Sequence, residues 1–275
     1  MKELPPFDEL VKMRVVYRLP GMEAVTVRRG LVYKTDGDAR LEMDVYAPPG
    51  LEPGARRPAL VFIHGGPIPP GSKAKGMGVY LSYGELAGAS GLIGIAFDHR
   101  FHGPDRLEQA GQDVADLLGH LRREAPDLGV DPDRIAVWAF SGGGPFLAPL
   151  LAERPPWLRA VAAFYAALDL QVPPPGRTDT LGPELRRRFS PVAHLGPGTR
   201  PLPPLLVGRA GLDHPFLNEG TDRFVREALA QNASIDVLNH PEGRHGFDTL
   251  DGDERTREMV ARALAFLSAR LSPLI

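Results

Sequence analysis

Short, wholly apolar runs alternate along most of the chain with longer stretches in which apolar residues recur at helical spacing. The apolar runs predict strands at 59–63, 92–97, 135–140, 159–165, 205–207 and 235–238. Unbroken apolar character is typical of a parallel strand that is covered on both faces. The periodic stretches predict helices at 76–89, 105–124, 143–153, 215–231 and 253–271. This alternation indicates an α/β fold with a doubly wound, mostly parallel sheet and right-handed crossovers.

The N-terminal part of the chain has a different pattern. Residues 24–34 and 40–46 alternate between apolar and polar positions, and Thr35-Asp36-Gly37-Asp38 supplies turn residues between them. This pattern predicts an antiparallel hairpin that is preceded by a short helix at 7–13. We find no internal repeat and no linker, so we expect residues 1–275 to form one domain.

A proline-rich segment interrupts the alternation at residues 170–204. Its prolines stand at 173, 174, 175, 183, 191, 197, 201, 203 and 204. A connection of this length between two strands is usually functional or disordered. Two interpretations follow, namely a small cap over a substrate and a rigid surface loop.

Composition narrows the possible functions. The net charge of −2 favours neither a nucleic acid nor an acidic membrane surface as partner. The chain has no cysteine, which excludes disulfides, thiolate zinc sites and a cysteine nucleophile. No apolar run approaches the roughly 18 residues of a membrane span, and the N-terminus does not resemble a signal peptide. We expect a cytoplasmic protein that acts on a small molecule.

The strongest chemical signal is the stretch 135–144, where an apolar strand runs directly into Ser141 and a glycine cluster. Strand, tight turn and helix in this order are typical of a nucleophile elbow, which exposes the serine oxygen. The turn needs small residues two positions on either side of the serine. Gly143 meets this need, and Ala139 stands where glycine is usual. The alternative is that Ser141 is simply the N-cap of a helix.

The strand at 59–63 ends in His64-Gly65-Gly66-Pro67, which predicts an oxyanion loop. Acyl transfer needs backbone N–H donors that point at the developing negative charge. One donor is expected from Gly142, directly after the serine, and the other from this loop. Pro67 has no N–H, so Gly66 is the first candidate and Gly65 the second. Alternatively, the two glycines only form a tight turn.

The acid and the base of a catalytic triad are predicted from chain order. In this architecture the order is serine, then acid, then histidine. Ser141, Asp213 and His245 follow it, and each comes just after the end of a predicted strand. Parallel strands bring such positions to one edge of the sheet. We therefore expect His245 to take the proton of Ser141, and Asp213 to orient the imidazole.

Other titratable residues leave alternatives open. Asp169 follows an earlier strand and can be the acid in a variant arrangement, whereas His240 is the rival base. Asp248 and Asp251 lie close to His245 along the chain and are expected to cap a helix or face solvent. A metal centre is conceivable from Asp98, His99 and His102, although these residues are expected to pack at the rim of the site.

The chain resembles the α/β-hydrolase superfamily over nearly its whole length. The resemblance rests on four motifs taken together: HGGP after a strand, AFSGG, GLD and GRHGF. MDVYAP followed by FIHGG is similar to the dienelactone-hydrolase-like and small esterase branches. The resemblance implies hydrolysis of small carboxylic esters through an acyl-enzyme, with no cofactor and no metal. Dienelactone hydrolases proper use a cysteine nucleophile, which this chain lacks. Candidate substrate-binding residues are Phe140, Tyr80 and His214.

Two further functions remain open at this level. The HGGP sequence also resembles the catalytic domains of acylaminoacyl and prolyl oligopeptidases, which implies a peptidase. Those enzymes carry a large N-terminal propeller, whereas only about 58 residues precede the first core strand here. The other alternative is a non-catalytic, ligand-binding member of the fold.

Overall fold

The strands of the structure coincide closely with the predicted apolar runs. The computed structural model describes residues 5–172 and 181–272. The strands are β1 (Thr26–Asp36), β2 (Ala39–Ala47), β3 (Arg57–Ile63), β4 (Ile93–Phe97), β5 (Val130–Phe140), β6 (Leu158–Phe164), β7 (Leu205–Ala210) and β8 (Ile235–His240).

The helices fall between the strands, as the periodic stretches predict. They are α1 (Phe7–Leu10), α2 (Gly78–Ala89), α3 (Leu107–Arg123), α4 (Ala125–Leu128), α5 (Leu147–Glu153), α6 (Pro183–Arg188), α7 (Pro215–Ala230), α8 (Phe247–Leu250) and α9 (Glu254–Leu271). Short 3-10 turns lie at Met22–Ala24, Ala74–Gly76, Pro104–Arg106, Ser141–Phe146 and Pro191–His194. Within the described parts of the chain, none of these helices has the length and apolar character needed to cross a bilayer.

All eight strands of the described residues join one sheet, in the order β1-β2-β4-β3-β5-β6-β7-β8. The strands from β4 through β3 to β8 are parallel, and β1 pairs with β2 in antiparallel orientation. The predicted mostly parallel sheet with an N-terminal hairpin is therefore confirmed. The hairpin also joins the main sheet, because β2 runs antiparallel to β4.

Side chains of the central strands alternate between two apolar cores. In β5, Val137 and Ala139 face one core, while Trp138 and Phe140 face the other. Helices α3, α5 and α7 cover the first face, and α2 and α9 cover the second. Burial on both faces explains why residues 59–63 of β3 and 135–140 of β5 are continuously apolar in sequence.

Several elements differ from the prediction: the helix predicted at 7–13 ends at Leu10, and the differences at β5 and α5 have a clear physical reason. Strand β5 begins at Val130 rather than at 135, because Val130 pairs with Arg57 at the start of β3. The predicted helix at 143–153 is divided into a 3-10 turn at Ser141–Phe146 and the α-helix α5. Pro145 lies inside this turn, and its missing N–H disfavours regular helix.

The described part of the proline-rich segment packs against the body of the protein. Phe189, which follows α6, is buried against the first core. Arg154 binds the carbonyl groups of His194, Gly196 and Arg200, and this holds the chain beside α5. Residues 173–180 lie outside the described residues. The interpretation of 170–204 as a cap stays a prediction.

A close approach between α2 and β2 yields a stability prediction. A Cβ atom at Gly84 would overlap the buried ring of Tyr46. We expect Gly84→Ala to lower the free energy of unfolding by about 1–3 kcal/mol, as is typical of overpacking. Gly252→Ala is the control, since an added Cβ there meets no atom within 4 Å. It should change stability by less than about 0.5 kcal/mol. Equal urea midpoints for the two variants would contradict this packing.

Candidate active site

Ser141 stands at the C-terminal end of β5 with its backbone in the left-handed region, at a φ of 49°. This conformation is uncommon for a non-glycine residue and marks strain at a tight turn. The loop after β3 presses against the turn, because a Cβ at Gly143 would lie 2.6 Å from the carbonyl oxygens of Ile63 and His64. The small residue at 143 is therefore a steric requirement of the fold.

The structure brings Ser141, His245 and Asp213 into one hydrogen-bonded chain. Ser141 Oγ lies 2.8 Å from His245 Nε2, and His245 Nδ1 lies 2.8 Å from Asp213 Oδ2. With Nδ1–H donating to the carboxylate, Nε2 is left to accept the serine proton. The Asp213 side chain is 3% exposed and that of His245 is 31% exposed. The His245 imidazole can thus be reached from solvent, while the Asp213 carboxylate is shielded.

The loops that carry the acid and the base are bonded to each other. The N–H of Gly211 donates to the carbonyl of His240 at 2.8 Å, and that of Leu212 donates to Gly243 at 2.9 Å. The second oxygen of Asp213, Oδ1, accepts the backbone N–H of the following residue at 2.7 Å. Both carboxylate oxygens are therefore engaged, which fixes the orientation of the acid.

Two backbone N–H groups beside Ser141 can bind an oxyanion. Gly142 is the second residue of the 3-10 turn, where an N–H has no partner within the turn. Gly66 packs directly against it, since a Cβ at Gly142 would overlap the Gly66 carbonyl oxygen. Within residues 5–172 and 181–272 the N–H of Gly66 has no hydrogen-bond acceptor. These are the two donors that were predicted first.

Gly65, the second-choice loop donor, is used differently. Its N–H donates to the hydroxyl oxygen of Tyr80 at 2.9 Å. The glycine is needed for space, because an added Cβ would lie 2.9 Å from Cβ of Ser141. This N–H therefore holds the loop, whereas the N–H groups of Gly66 and Gly142 stay the first candidates for binding an oxyanion.

A stacked pair of histidines supports the oxyanion loop from beneath. The rings of His64 and His99 lie 3.5 Å apart and nearly parallel. Nδ1 of His64 lies 2.6 Å from the carbonyl oxygen of Gly65, and Nε2 accepts the backbone N–H of His99 at 3.2 Å. Burial lowers the pKa of His64 to about 4 and that of His99 well below its usual range. Both rings are neutral, structural groups.

The conceivable metal centre is not formed. Asp98 accepts the backbone N–H of Lys75, and His102 Nδ1 contacts the carbonyl oxygen of Ile68. No group of three or more metal-ligating side chains is assembled in the parts of the chain that the structure describes. The sequence neighbours Asp98, His99 and His102 instead have separate hydrogen-bond partners.

The rival acid and base have other partners. Asp169 forms a 2.7 Å ion pair with Arg223, and His240 contacts Asp253 and Thr256 through Nε2. Both are buried near the ends of their strands, as strand-end residues often are. Neither shares a hydrogen bond with Ser141.

Asp248 corrects the expectation of a capping or solvent-exposed group. It is 0% exposed, and its carboxylate accepts the hydroxyls of Tyr83 and Tyr165. Asp251 instead forms a 2.7 Å ion pair with Arg244. Sequence reasoning missed the role of Asp248 because its two partners lie far away along the chain.

The candidate substrate-binding residues occupy three different environments. Phe140 is 1% exposed and packs in the core against Tyr83 and Trp138, with ring centres 4.8 and 5.5 Å apart. This position makes it a packing residue beneath the serine rather than a pocket wall. Tyr80 holds the oxyanion loop. His214 is exposed and caps α7 by accepting the N–H of a nearby residue.

Comparison with known proteins gives one family match and a set of structural neighbours. A family model described as BD-FAE, which is an α/β-hydrolase family, matches residues 43–154. This region includes β3, the oxyanion loop and Ser141. No curated protein matches the chain.

The structural neighbours include several forms of one enzyme from the planctomycete Thermogutta terrifontis. The propionate-bound form of this thermophilic esterase superposes with a TM-score of 0.71 at 23% identity, covering 93% of this chain and 98% of that chain. Its apo form superposes with a TM-score of 0.71 at 22% identity, and the coverage of both chains is the same. The form phosphorylated by paraoxon gives 0.70 at 22% identity, covering 94% of this chain and 100% of that chain.

The sheet order and these superpositions define the fold. The chain has the α/β-hydrolase fold, with a serine at the strand-to-helix turn and a histidine and an acid on later loops. The fold was expected from the sequence resemblance and is confirmed.

The steric argument at the elbow yields a prediction. We expect Gly143→Ala to remove most activity and to lower Tm, because its Cβ would collide with the carbonyl oxygens of Ile63 and His64, where β3 enters the oxyanion loop. Ala139→Gly restores the commoner residue and should keep turnover within roughly threefold, although it removes one buried methyl group. Assays with a chromogenic ester and thermal melts would test both. A fully active Gly143→Ala variant would show that the turn is looser than described.

Proposed function

We propose that the chain is a serine hydrolase that cleaves carboxylic esters, with small or short acyl groups, through an acyl-enzyme on Ser141. The observation that carries this proposal is the hydrogen-bonded chain Ser141–His245–Asp213, with 2.8 Å at each link. Such a chain activates a serine hydroxyl that is otherwise a weak nucleophile.

The proposed reaction has two halves. Ser141 Oγ attacks the ester carbonyl while His245 takes its proton, and the oxyanion is bound by the N–H groups of Gly66 and Gly142. His245 then gives this proton to the leaving alcohol, and the acyl group stays on the serine. Water then attacks the acyl group while His245 takes its proton. When the bond between the acyl carbon and Ser141 Oγ breaks, His245 returns this proton to Oγ, which releases the carboxylic acid and free Ser141. Asp213 keeps Nδ1 protonated throughout.

The comparisons support this choice of substrate class. The Thermogutta esterase is known in propionate- and butyrate-bound forms, and these are short acyl groups. It is also modified by paraoxon and sarin. For this chain we propose small-molecule esters of the same kind. We propose that residues 1–275 form one catalytic domain, with 170–204 either a small cap over the substrate or a rigid surface loop.

The first test of the proposal is covalent labelling. A fluorophosphonate probe should label Ser141, as located by mass spectrometry, and p-nitrophenyl acetate to octanoate should show fastest turnover of the short esters. Ser141→Ala should lose the label and at least ~10³-fold in turnover. Label without ester turnover would favour the peptidase alternative, and neither label nor turnover would favour a binding protein.

The identity of the acid has its own test. Asp213→Asn should cost on the order of 10⁴ in kcat with little change in KM, because the imidazole takes the wrong tautomer. Asp169→Asn is the matched control, since Asp169 is paired with Arg223. Steady-state kinetics of the two variants would show which aspartate is the acid. The assignment would be wrong if Asp169→Asn were inactive while Asp213→Asn resembled the parent.

A further inference from the structure

A second buried carboxylate lies beside the base and is not part of the triad. Asp248 follows His245 by three residues and is 0% exposed. Tyr83 donates its hydroxyl to Oδ2 at 2.6 Å, and Tyr165 donates to Oδ1 at 2.7 Å. Each oxygen thus accepts one phenol, in the short range typical of charge-assisted hydrogen bonds.

These hydrogen bonds join three elements around the base. Tyr83 belongs to α2, Tyr165 follows β6, and Asp248 lies in α8. Tyr165 has a backbone φ of 39°, and its N–H donates to the carbonyl of Gly208 at 2.8 Å. A bulky residue in this region is an outlier that its surroundings must hold in place.

The ring of Tyr165 contacts the catalytic imidazole directly. The ring centres of Tyr165 and His245 lie 4.9 Å apart at an interplanar angle of 61°. Aromatic rings attract a cation that lies within about 6 Å of their centre. Tyr83 provides a contrast, because it binds the same carboxylate while its ring contacts Phe62, Trp138 and Phe140 instead.

Few charged groups surround the cluster formed by Asp248, Tyr83, Tyr165 and His245, which we call the Asp248 cluster. Asp213, from the loop after β7, binds His245 directly, and Ser141 faces it from the turn after β5. Asp248 is faced by Tyr83 from α2 and by Tyr165, which follows β6. Burial raises the pKa of Asp248, while the two phenols and the positive charge of His245 act in the opposite direction.

The remaining charged and titratable groups nearby are more distant or already paired. Burial raises the pKa of Tyr80 in α2, and the nearby Asp248 carboxylate adds to this rise. Arg244 is engaged by Asp251, and His240 by Asp253. Among the described residues, no lysine or arginine binds the Asp248 carboxylate.

We propose that Asp248 and Tyr165 are positioning residues for His245: Asp248 fixes the Tyr165 ring against the imidazole, and its buried charge favours the imidazolium form. This inference rests on the proposed function, in which His245 becomes positive when Ser141 attacks. A nearby negative charge in a poorly solvated environment stabilises that state more than it would in water. The carboxylate acts without touching substrate.

The test uses two tyrosine variants that remove the same hydroxyl from the same carboxylate. Tyr165→Phe should lower kcat for p-nitrophenyl acetate roughly tenfold and leave KM unchanged. This decrease is smaller than the one expected from removing the general base itself. Tyr83→Phe should keep kcat within about twofold of the parent, because its ring does not touch His245. Thermal melts should show similar losses of Tm for both variants.

A third variant tests whether the negative charge of Asp248 favours the imidazolium form of His245. Asp248→Asn is nearly isosteric and should move the acid limb of the kcat/KM profile to lower pH by roughly half a unit, as expected for loss of one partly screened charge. A purely structural role would lower Tm without moving this limb. If Asp248→Asn does not fold, the kcat values of Tyr165→Phe and Tyr83→Phe alone test the inference.

Two results would overturn the inference: equal kcat values for Tyr165→Phe and Tyr83→Phe, or an unchanged acid limb in folded Asp248→Asn. Failure of the proposed function looks different, because the parent protein itself would then lack ester turnover and labelling at Ser141.

Discussion

The left-handed backbone of Ser141 is the constraint on which the arrangement of the site depends. An unfavourable turn persists only where its surroundings hold it. Here the loop after β3 approaches so closely that Gly142 and Gly143 have no room for a side chain. On the other side, the N–H of Ala167 donates to the carbonyl of Ser141 at 2.9 Å. The same close approach that strains the serine also places two N–H donors beside its oxygen.

The parallel sheet supplies the rest of the geometry. Strands β5, β7 and β8 end at the same edge, so Ser141, Asp213 and His245 meet although Ser141 and His245 are 104 positions apart. Hydrogen bonds between the last two loops couple the loop of Asp213 to that of His245. Buried groups lie under these loops: the stacked rings of His64 and His99 contact the loop after β3, and Asp248 binds Tyr165, whose ring contacts His245.

Much of this could be predicted from the sequence because it is encoded locally. Unbroken apolar runs predict the buried strands, and Ser141, Asp213 and His245 follow strands in the order of the fold. What sequence reasoning missed depends on distant partners. Asp248 and Tyr83 are 165 positions apart, and nothing near Asp248 shows that it is buried. Phe140 adjoins the nucleophile in sequence, but the alternation of β5 turns its ring into the core. The Gly65 N–H is likewise taken by Tyr80, which comes from another element.

The most direct test of the account is to trap the covalent intermediate. A p-nitrophenyl carbamate should react as an ester does, but its carbamoyl-enzyme hydrolyses slowly. The account predicts a burst of one p-nitrophenol per chain and one carbamoyl group on Ser141, measured by absorbance and by peptide mass spectrometry. Catalytic release of p-nitrophenol with no stoichiometric burst, or a carbamoyl group on another residue, would contradict it.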